Sequence, residues 1–308
     1  MSGVDFQPTE DQRALRAGVR DLLGRRYGRE ALRDAVDAAG GGTGTVDRGL
    51  WRELGAAGFF ALRLPEAEGG VGLGLPEAVL AFEEAGRALL PGPLVATHLA
   101  AGAVAGAAAG EAVVTAFDLD GPLVAHLGEA DAVLGAAGAV PRGEPVASAD
   151  PLTPLHRVPG AAPAPEAYRA EGALLTAALQ LGSALRTVEL AVRYARDREQ
   201  FGQPIGAFQA VKHLCAGMLV RAEVARTAVY AAAVTADPAE IAAAKLLADE
   251  AAVRGARDCL QVHGGMGFTW EADVHLHLKR AWVRARQWCT AAGAEELLAA
   301  DLLAGAEA

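Results

Sequence analysis

Two short stretches concentrate the side chains in this sequence that could grip an anionic ligand. "RDREQFGQPIGAFQ" (196–209) and "QVHGGMGFTWE" (261–271) both interrupt otherwise strong helical patterns. A helix reversal needs only the Gly202–Pro204 break, so Arg198, the aromatic residues and the glutamines require a separate account. An arginine offers a planar fork of donors suited to a diphosphate. Glycines such as Gly264 and Gly265 let a ligand approach the peptide groups closely. Each has a plain structural alternative: a helix C-cap for Gly264–Gly265, a surface salt bridge for Arg198. Taken jointly, they point to an anionic cofactor.

The elements that must position these breaks are long helices. The apolar spacing predicts helices over about 166–198, 207–236, 239–262 and 272–304, the last broken at Gly293. Such helices pack most economically as an antiparallel four-helix bundle. The chain also opens helical. Thr9 and Gln12 have capping-box spacing, and Leu15, Val19, Leu22 and Leu23 follow on one face. A Gly-rich break at 40–46 precedes a helix around Trp51, Leu54 and Ala57. A further helix from Pro76 carries Val79, Phe82, Gly86 and Leu89 on one side, with Glu83, Glu84 and Arg87 on the other, and "PGP" (91–93) stops it. "AAGAVAGAAAG" (100–110) reads as close helix packing through small residues. From 113 to 165 the apolar runs shorten, as in "AVVTAF" and "ADAVLGA", and predict four to six short strands. The expected organisation is mainly α: an N-terminal helical domain (1–112), a reduced β segment (113–165) and a C-terminal helical bundle (166–308).

Composition excludes several functions. With 52% hydrophobic and 21% charged residues the chain can bury a sizeable core. Its 38 acidic against 28 basic residues give a net charge of −10, which repels nucleic acid and anionic membranes. The three cysteines form no CxxC, and the first residues lack a basic leader followed by an apolar run. A reduced, cytoplasmic protein with no membrane span is the expectation. His275 and His277 are two apart on a helix and do not point the same way, so no metal site is expected. Serine-hydrolase, P-loop and dinucleotide-binding glycine motifs are missing.

The two stretches resemble the signatures of the acyl-CoA dehydrogenase family: Tyr-Ala-x-x-Arg-x-x-Phe-Gly-x-x-Ile-x-x-x-Gln for the first, Gln-x-x-Gly-Gly-x-Gly-Phe for the second. "FQPTEDQRALRAGVRDLL", "LWRELGAAGFFALRLPEAEGGVGLG" and "EEAGRALLPGP" are similar to that family's N-terminal domain. The resemblance implies α,β-desaturation of an acyl-CoA thioester with FAD lying between two subunits. One subunit cradles the flavin ring and the other reaches across to the diphosphate and adenosine. It implies that Arg198 pairs with the diphosphate, Phe201 packs near the adenine, and Gln209 hydrogen-bonds along the ligand. Gln261, Gly264 and Gly265 would supply amide and backbone donors. Reoxidation would fall to an acceptor such as an electron-transfer flavoprotein.

The sequence departs from that family in two places. The stretches that embrace the flavin ring are missing from 113–165, which is about half the family's usual size. The position of the usual catalytic carboxylate falls in Trp288-Cys289-Thr290. A second family position for the base lies at the start of the first bundle helix, where Glu171 is a weak candidate. Counted from Gly182 it is one residue out of register, about 100° of helix rotation, and it reads equally as a solvent-facing first-turn acid. "AVKH" (210–213) and "HLHLKRA" (275–281) resemble the shortened, base-lacking subunits of heteromeric bacterial acyl-CoA dehydrogenases. The expectation is such a subunit in a heterotetramer, acting in lipid or steroid metabolism and completing the FAD site of a catalytic partner. The alternatives are a self-sufficient homo-oligomeric flavoenzyme with a non-standard base and a non-catalytic helical scaffold.

Overall fold

The computed structural model describes residues 8–40, 44–119, 121–136 and 138–306. The first seven residues, read above for a leader, lie outside the described residues, as does part of the Gly-rich break at 40–46. Five helices build the N-terminal part: α1 (Glu10–Arg26), α2 (Arg29–Gly40), α3 (Arg48–Ala56), α4 (Leu75–Arg87) and α5 (Leu94–Leu99). The capping box forms as read: Gln12 N donates to Thr9 Oγ1 at 3.2 Å and Thr9 N donates to Gln12 Oε1 at 2.9 Å. Asp47 caps α3 through Gly49 N and Leu50 N.

α4 departs from the sequence expectation. Glu83 and Glu84 do not face water; both side chains are about 1% exposed. Arg16 of α1 spans the two carboxylates, Arg20 adds a second ion pair to Glu84, and Tyr230 donates to Glu83 at 2.7 Å. α4 is therefore buried on every side, its charges neutralised in place. Its apolar face meets the long helix α6 (Arg169–Asp197) through reciprocal glycines. A Cβ on Gly86 would lie 2.0 Å from the Leu179 carbonyl, and one on Gly182 would lie 1.9 Å from the Glu83 carbonyl. Only glycine permits this helix crossing.

The bundle consists of α6, α7 (Gln209–Thr235), α8 (Pro238–His263) and the pair α9 (Val274–Arg284) and α10 (Ala291–Ala306). The last predicted helix breaks over residues 285–290, whereas Gly293 lies inside α10. The break has a cause in the backbone: Trp288 adopts φ 62°, and its N–H leaves the helical ladder to donate to the Asp118 carbonyl at 2.7 Å. Residues 100–110 pack closely, but as turns rather than as a helix; Gly106 and Gly110 take positive φ, and a Cβ on Gly110 would lie 2.1 Å from the Trp51 carbonyl. In the intervening segment β1 (Val114–Thr115) pairs in parallel with β3 (Ala132–Val133). β2 (Leu123–Ala125), β5 (Leu155–Arg157) and β4 (Glu144–Val146) form an antiparallel sheet in that order. Phe117, Val124, Leu127, Val133 and Val158 give this unit a small core of its own. No helix of the described residues is long and apolar enough to cross a membrane.

A buried polar network ties α6, α8 and α9 together. Lys245 reaches Asp249 at 2.5 Å and the Arg284 carbonyl at 3.1 Å, while Gln180 donates to Asp249 and to the Ala281 carbonyl. Arg280 pairs with Asp150 and so fastens the β segment to the bundle.

Candidate functional site

The two motifs meet at one end of the bundle. α6 ends at Asp197, and a hairpin of β6 (Glu199–Gln200) and β7 (Gln203–Pro204) follows. Phe201 and Gly202 form its tip with φ 55° and 76°, the paired positive angles that suit the twist of a two-residue hairpin. The Ile205 N–H donates back to the Arg198 carbonyl at 2.8 Å, and Gly206 lets the return strand lie against the Ala195 carbonyl. One turn before this hairpin, Tyr194 stacks on His263 of α8 with ring centroids 4.1 Å apart. That stack joins the end of the first motif to the middle of the second. His263 is held from its own side by the Cys259 carbonyl at 2.8 Å from Nδ1, and burial depresses its pKa.

The geometry at this end suits an extended anionic ligand. Gly264 caps α8 with φ 58° and ψ −139°, a conformation essentially restricted to glycine. A Cβ at Gly264 or Gly265 would meet nothing within 4 Å, so the peptide face there is open on its outer side. Among the described residues the Arg198 guanidinium has no ion pair and no hydrogen bond, and Phe201 is 91% exposed. Gln209, at the first position of α7, and Gln261, in the last turn of α8, are likewise exposed. Of the six residues that sequence reasoning singled out, Arg198, Phe201, Gln209, Gln261 and Gly265 are exposed and Gly264 is half-buried. Around them Met266, Phe268 and Trp270 are also exposed. Trp270 receives Lys279 over its ring at 5.0 Å and stacks on His275.

A second region corresponds to the expected position of the base. A cavity of about 620 Å³ opens between the β segment and the bundle, with Ala170 and Ala173 of α6, Trp288, Cys289 and Thr290 in its wall. Phe117 and Ile241 add to its apolar lining. Glu171 is not among its lining residues. The carboxylate turns instead toward the N-terminal helices, where it pairs with Arg63 and lies 3.7 Å from His98 Nε2. Those partners overcome desolvation and hold its pKa below the usual carboxylate range. The one-residue register offset read from the sequence is thus visible: Ala170 faces the cavity and Glu171 faces away.

Trp288, which sequence reasoning named only as part of the position that lacks the base, shapes this cavity. Its indole is buried against α6 at Gly172, where a Cβ would lie 2.2 Å from the ring. Gln287 donates to Asp118 Oδ2 at 2.9 Å, and Asp118 also borders the cavity. Although part of Asp118 remains accessible, its carboxyl is deeply desolvated, and burial pushes its pKa up to about 7. The signal was present in the sequence as Gly172 and Trp288, but nothing in their spacing shows that they touch.

The acyl-CoA dehydrogenase C-terminal domain matches residues 169–306, and the acyl-CoA dehydrogenase N-terminal domain matches residues 9–112. The acyl-CoA dehydrogenase IpdE2 of Mycobacterium tuberculosis is 37% identical over 298 residues, covering 89% of this chain and 92% of that protein. The chain belongs to the acyl-CoA dehydrogenase family. Among solved structures, the ChsE4-ChsE5 complex from Mycobacterium tuberculosis superposes with a TM-score of 0.83 at 26% identity, covering 97% of this chain and 99% of the matched one. A Tcur3481-Tcur3483 steroid acyl-CoA dehydrogenase shares the fold at a TM-score of 0.84 and 24% identity, over 97% of this chain and 99% of that one. Between the two matched domains, residues 113–168 carry no family match. This interval contains the whole of the reduced β segment.

Proposed function

We propose that this chain is the cofactor-completing subunit of a heteromeric, FAD-dependent acyl-CoA dehydrogenase that desaturates an acyl-CoA thioester. The observation that carries the reading is the contrast between the two regions. At the motif end Arg198, Gln209 and Gln261 are exposed and the Gly264–Gly265 peptides are open on their outer side, which supports a ligand held there. In the base region Cys289 and Ala170 stand at the two family positions for the carboxylate and Glu171 is paired with Arg63, while Asp118, Glu166 and Glu296 border the same cavity.

The residues present fit half of an FAD. Arg198 would take the diphosphate as a charge-assisted, forked contact, and Gln209 and Gln261 would add amide hydrogen bonds. Gly264 and Gly265 would bring backbone groups against the same ligand, and Phe201 would cover the adenine end. They do not fit the flavin ring. Five strands of two or three residues each leave no broad sheet face to lie against it. When bound, FAD would supply the hydride acceptor; the ring cradle and the base would come from an unlike partner. The exposed Met266, Phe268 and Trp270 beside the motif suit coverage by that partner. The two-component name of the ChsE4-ChsE5 complex supports a mixed assembly, and the steroid dehydrogenase neighbour favours a polycyclic or lipid acyl group. An electron-transfer flavoprotein would serve as acceptor.

Co-expression tests the reading. The chain alone should purify colourless and inactive. With an acyl-CoA dehydrogenase subunit that keeps its own catalytic glutamate, a yellow complex with acyl-CoA-dependent dye reduction should form. A yellow, active protein from this chain alone would refute it. A complex without flavin, with any such subunit, would leave the helical scaffold instead.

A further inference from the structure

The proposed cofactor surface does not account for a second concentration of cationic groups. A cleft of about 240 Å³ lies between α1 and α2 on one side and α4, α6 and α9 on the other. Five arginines line it, Arg20, Arg29, Arg87, Arg186 and Arg193, against two carboxylates, Glu84 and Asp273. This excess of positive charge sits in a chain whose net charge is −10. None of Arg198, Phe201, Gln209, Gln261, Gly264 or Gly265 lines it.

The charges there are unevenly satisfied. Glu84 is saturated by Arg16 and Arg20, Asp273 pairs with Arg29, and Arg87 and Arg186 share the single carboxylate of Glu189. Arg193 has no acidic partner among the described residues. Deeper in the wall, Tyr27 is buried, with its hydroxyl toward Arg280 and Asp150 behind the cleft. His277 borders the same cleft, fixed through Nδ1 to the Ser183 hydroxyl at 2.8 Å. Burial and the surrounding arginines, Arg186, Arg284, Arg280 and Arg87, push its pKa down to about 3, so the ring is neutral. Leu23, Leu32 and Leu190 complete the lining with apolar surface.

We propose that this cleft binds a small amphipathic organic anion, with a phosphate or carboxylate head held by Arg186 and Arg193 and an apolar body against Leu23, Leu32 and Leu190. Arginine forks match both oxyanions. The apolar wall explains why a bare inorganic ion would fill the cleft poorly.

Titration calorimetry on the full chain tests the proposal with hexyl phosphate, hexanoate and inorganic phosphate. Saturable one-site binding is expected for hexyl phosphate or hexanoate, at least tenfold tighter than for inorganic phosphate; the tighter of the two identifies the head group. Arg193→Ala, which breaks no ion pair, should weaken that binding at least tenfold with an unchanged thermal midpoint, and Arg193→Ala with Arg186→Ala should abolish it. On the wild-type chain, the ring nitrogen resonances of His277 should shift on saturation. Absence of saturable binding by either organic anion would overturn the proposal. So would binding that Arg193→Ala leaves unchanged, or that does not move His277. Arg198→Ala should leave this binding intact, so failure here is separable from failure of the cofactor reading.

Discussion

Gly172→Ala reads out the packing that closes the base region. In an ordinary helix interior this exchange stabilises by about 1 kcal/mol, because alanine has the better propensity. Here the new Cβ would lie 2.2 Å from Trp288 Cδ2 and 2.4 Å from Cε3, against a comfortable separation of about 3.5–4.0 Å. Something must move by more than 1 Å. The α6 backbone is pinned by its own ladder and by the glycine crossing with α4, and Trp288 is pinned by its N–H to the Asp118 carbonyl. Overpacking of this kind costs about 1–3 kcal/mol, and the rigidity of both sides places the expectation at the upper end. Trp288→Ala removes the obstacle at its own cost of about 3–5 kcal/mol. In that background Gly172→Ala should change sign and stabilise by up to about 1 kcal/mol, giving a coupling energy of about 3–4 kcal/mol. Thermal midpoints of the four proteins, followed by circular dichroism, close the cycle. A stabilising Gly172→Ala in the wild-type background, or a coupling near zero, would show that the indole does not rest on α6.

Other predictions follow from single contacts. Arg198→Ala should weaken FAD in the mixed complex by about 1.5–3 kcal/mol, roughly 10- to 150-fold, while leaving the thermal midpoint of the isolated chain unchanged, since Arg198 has no partner among the described residues; equilibrium flavin fluorescence measures the first and a melt the second. Asp118 holds its proton to about pH 7 in the folded state, above its unfolded value, so it favours folding in acid and loses that contribution as pH rises toward 7. Asp118→Asn should therefore gain stability relative to wild type between pH 5 and pH 8, and a midpoint difference that does not grow with pH would contradict this. Lys245→Ala should cost about 3–5 kcal/mol, because it leaves Asp249 charged and buried with only Gln180 as partner; an unchanged melt would show that the pair is not shielded from water.

Much of this architecture was legible because it rests on local rules. The capping box at Thr9 and Pro76 marked the starts of α1 and α4, and the long apolar periodicities placed α6, α7 and α8 to within three residues at each end. The two motifs stood out for a different reason: glycine and arginine in fixed spacing constrain backbone and charge together, and both lie at helix ends that the Tyr194–His263 stack brings side by side. What escaped depends on contacts between distant segments. Glu83 and Glu84 read as a solvated face because their neutralising arginines lie 64 to 68 positions away. The break at 285–290 escaped because no glycine or proline marks it; Asp118, 170 residues earlier, captures the Trp288 N–H. The arginine cleft is assembled from five elements and has no linear signature at all.

On the proposed reading, the base region has lost its catalytic role while the fold is kept. At one family position the carboxylate is replaced within Trp288-Cys289-Thr290; at the other the acid survives in sequence but is turned through one helix step toward Arg63. Placing a carboxylate on α6 at this wall, which Asp118, Glu166 and Glu296 already border, would require Ala170→Glu, whose side chain shares the face of Ala173. Such a residue would enter a wall that also contains Arg169 and Arg286, which can offset its desolvation. If the cofactor reading is right, Ala170→Glu should still leave the chain inactive by itself, because the β segment lacks a face for the flavin ring. Activity of Ala170→Glu without a partner, measured by acyl-CoA-dependent dye reduction, would show that the missing base alone kept this chain from catalysis.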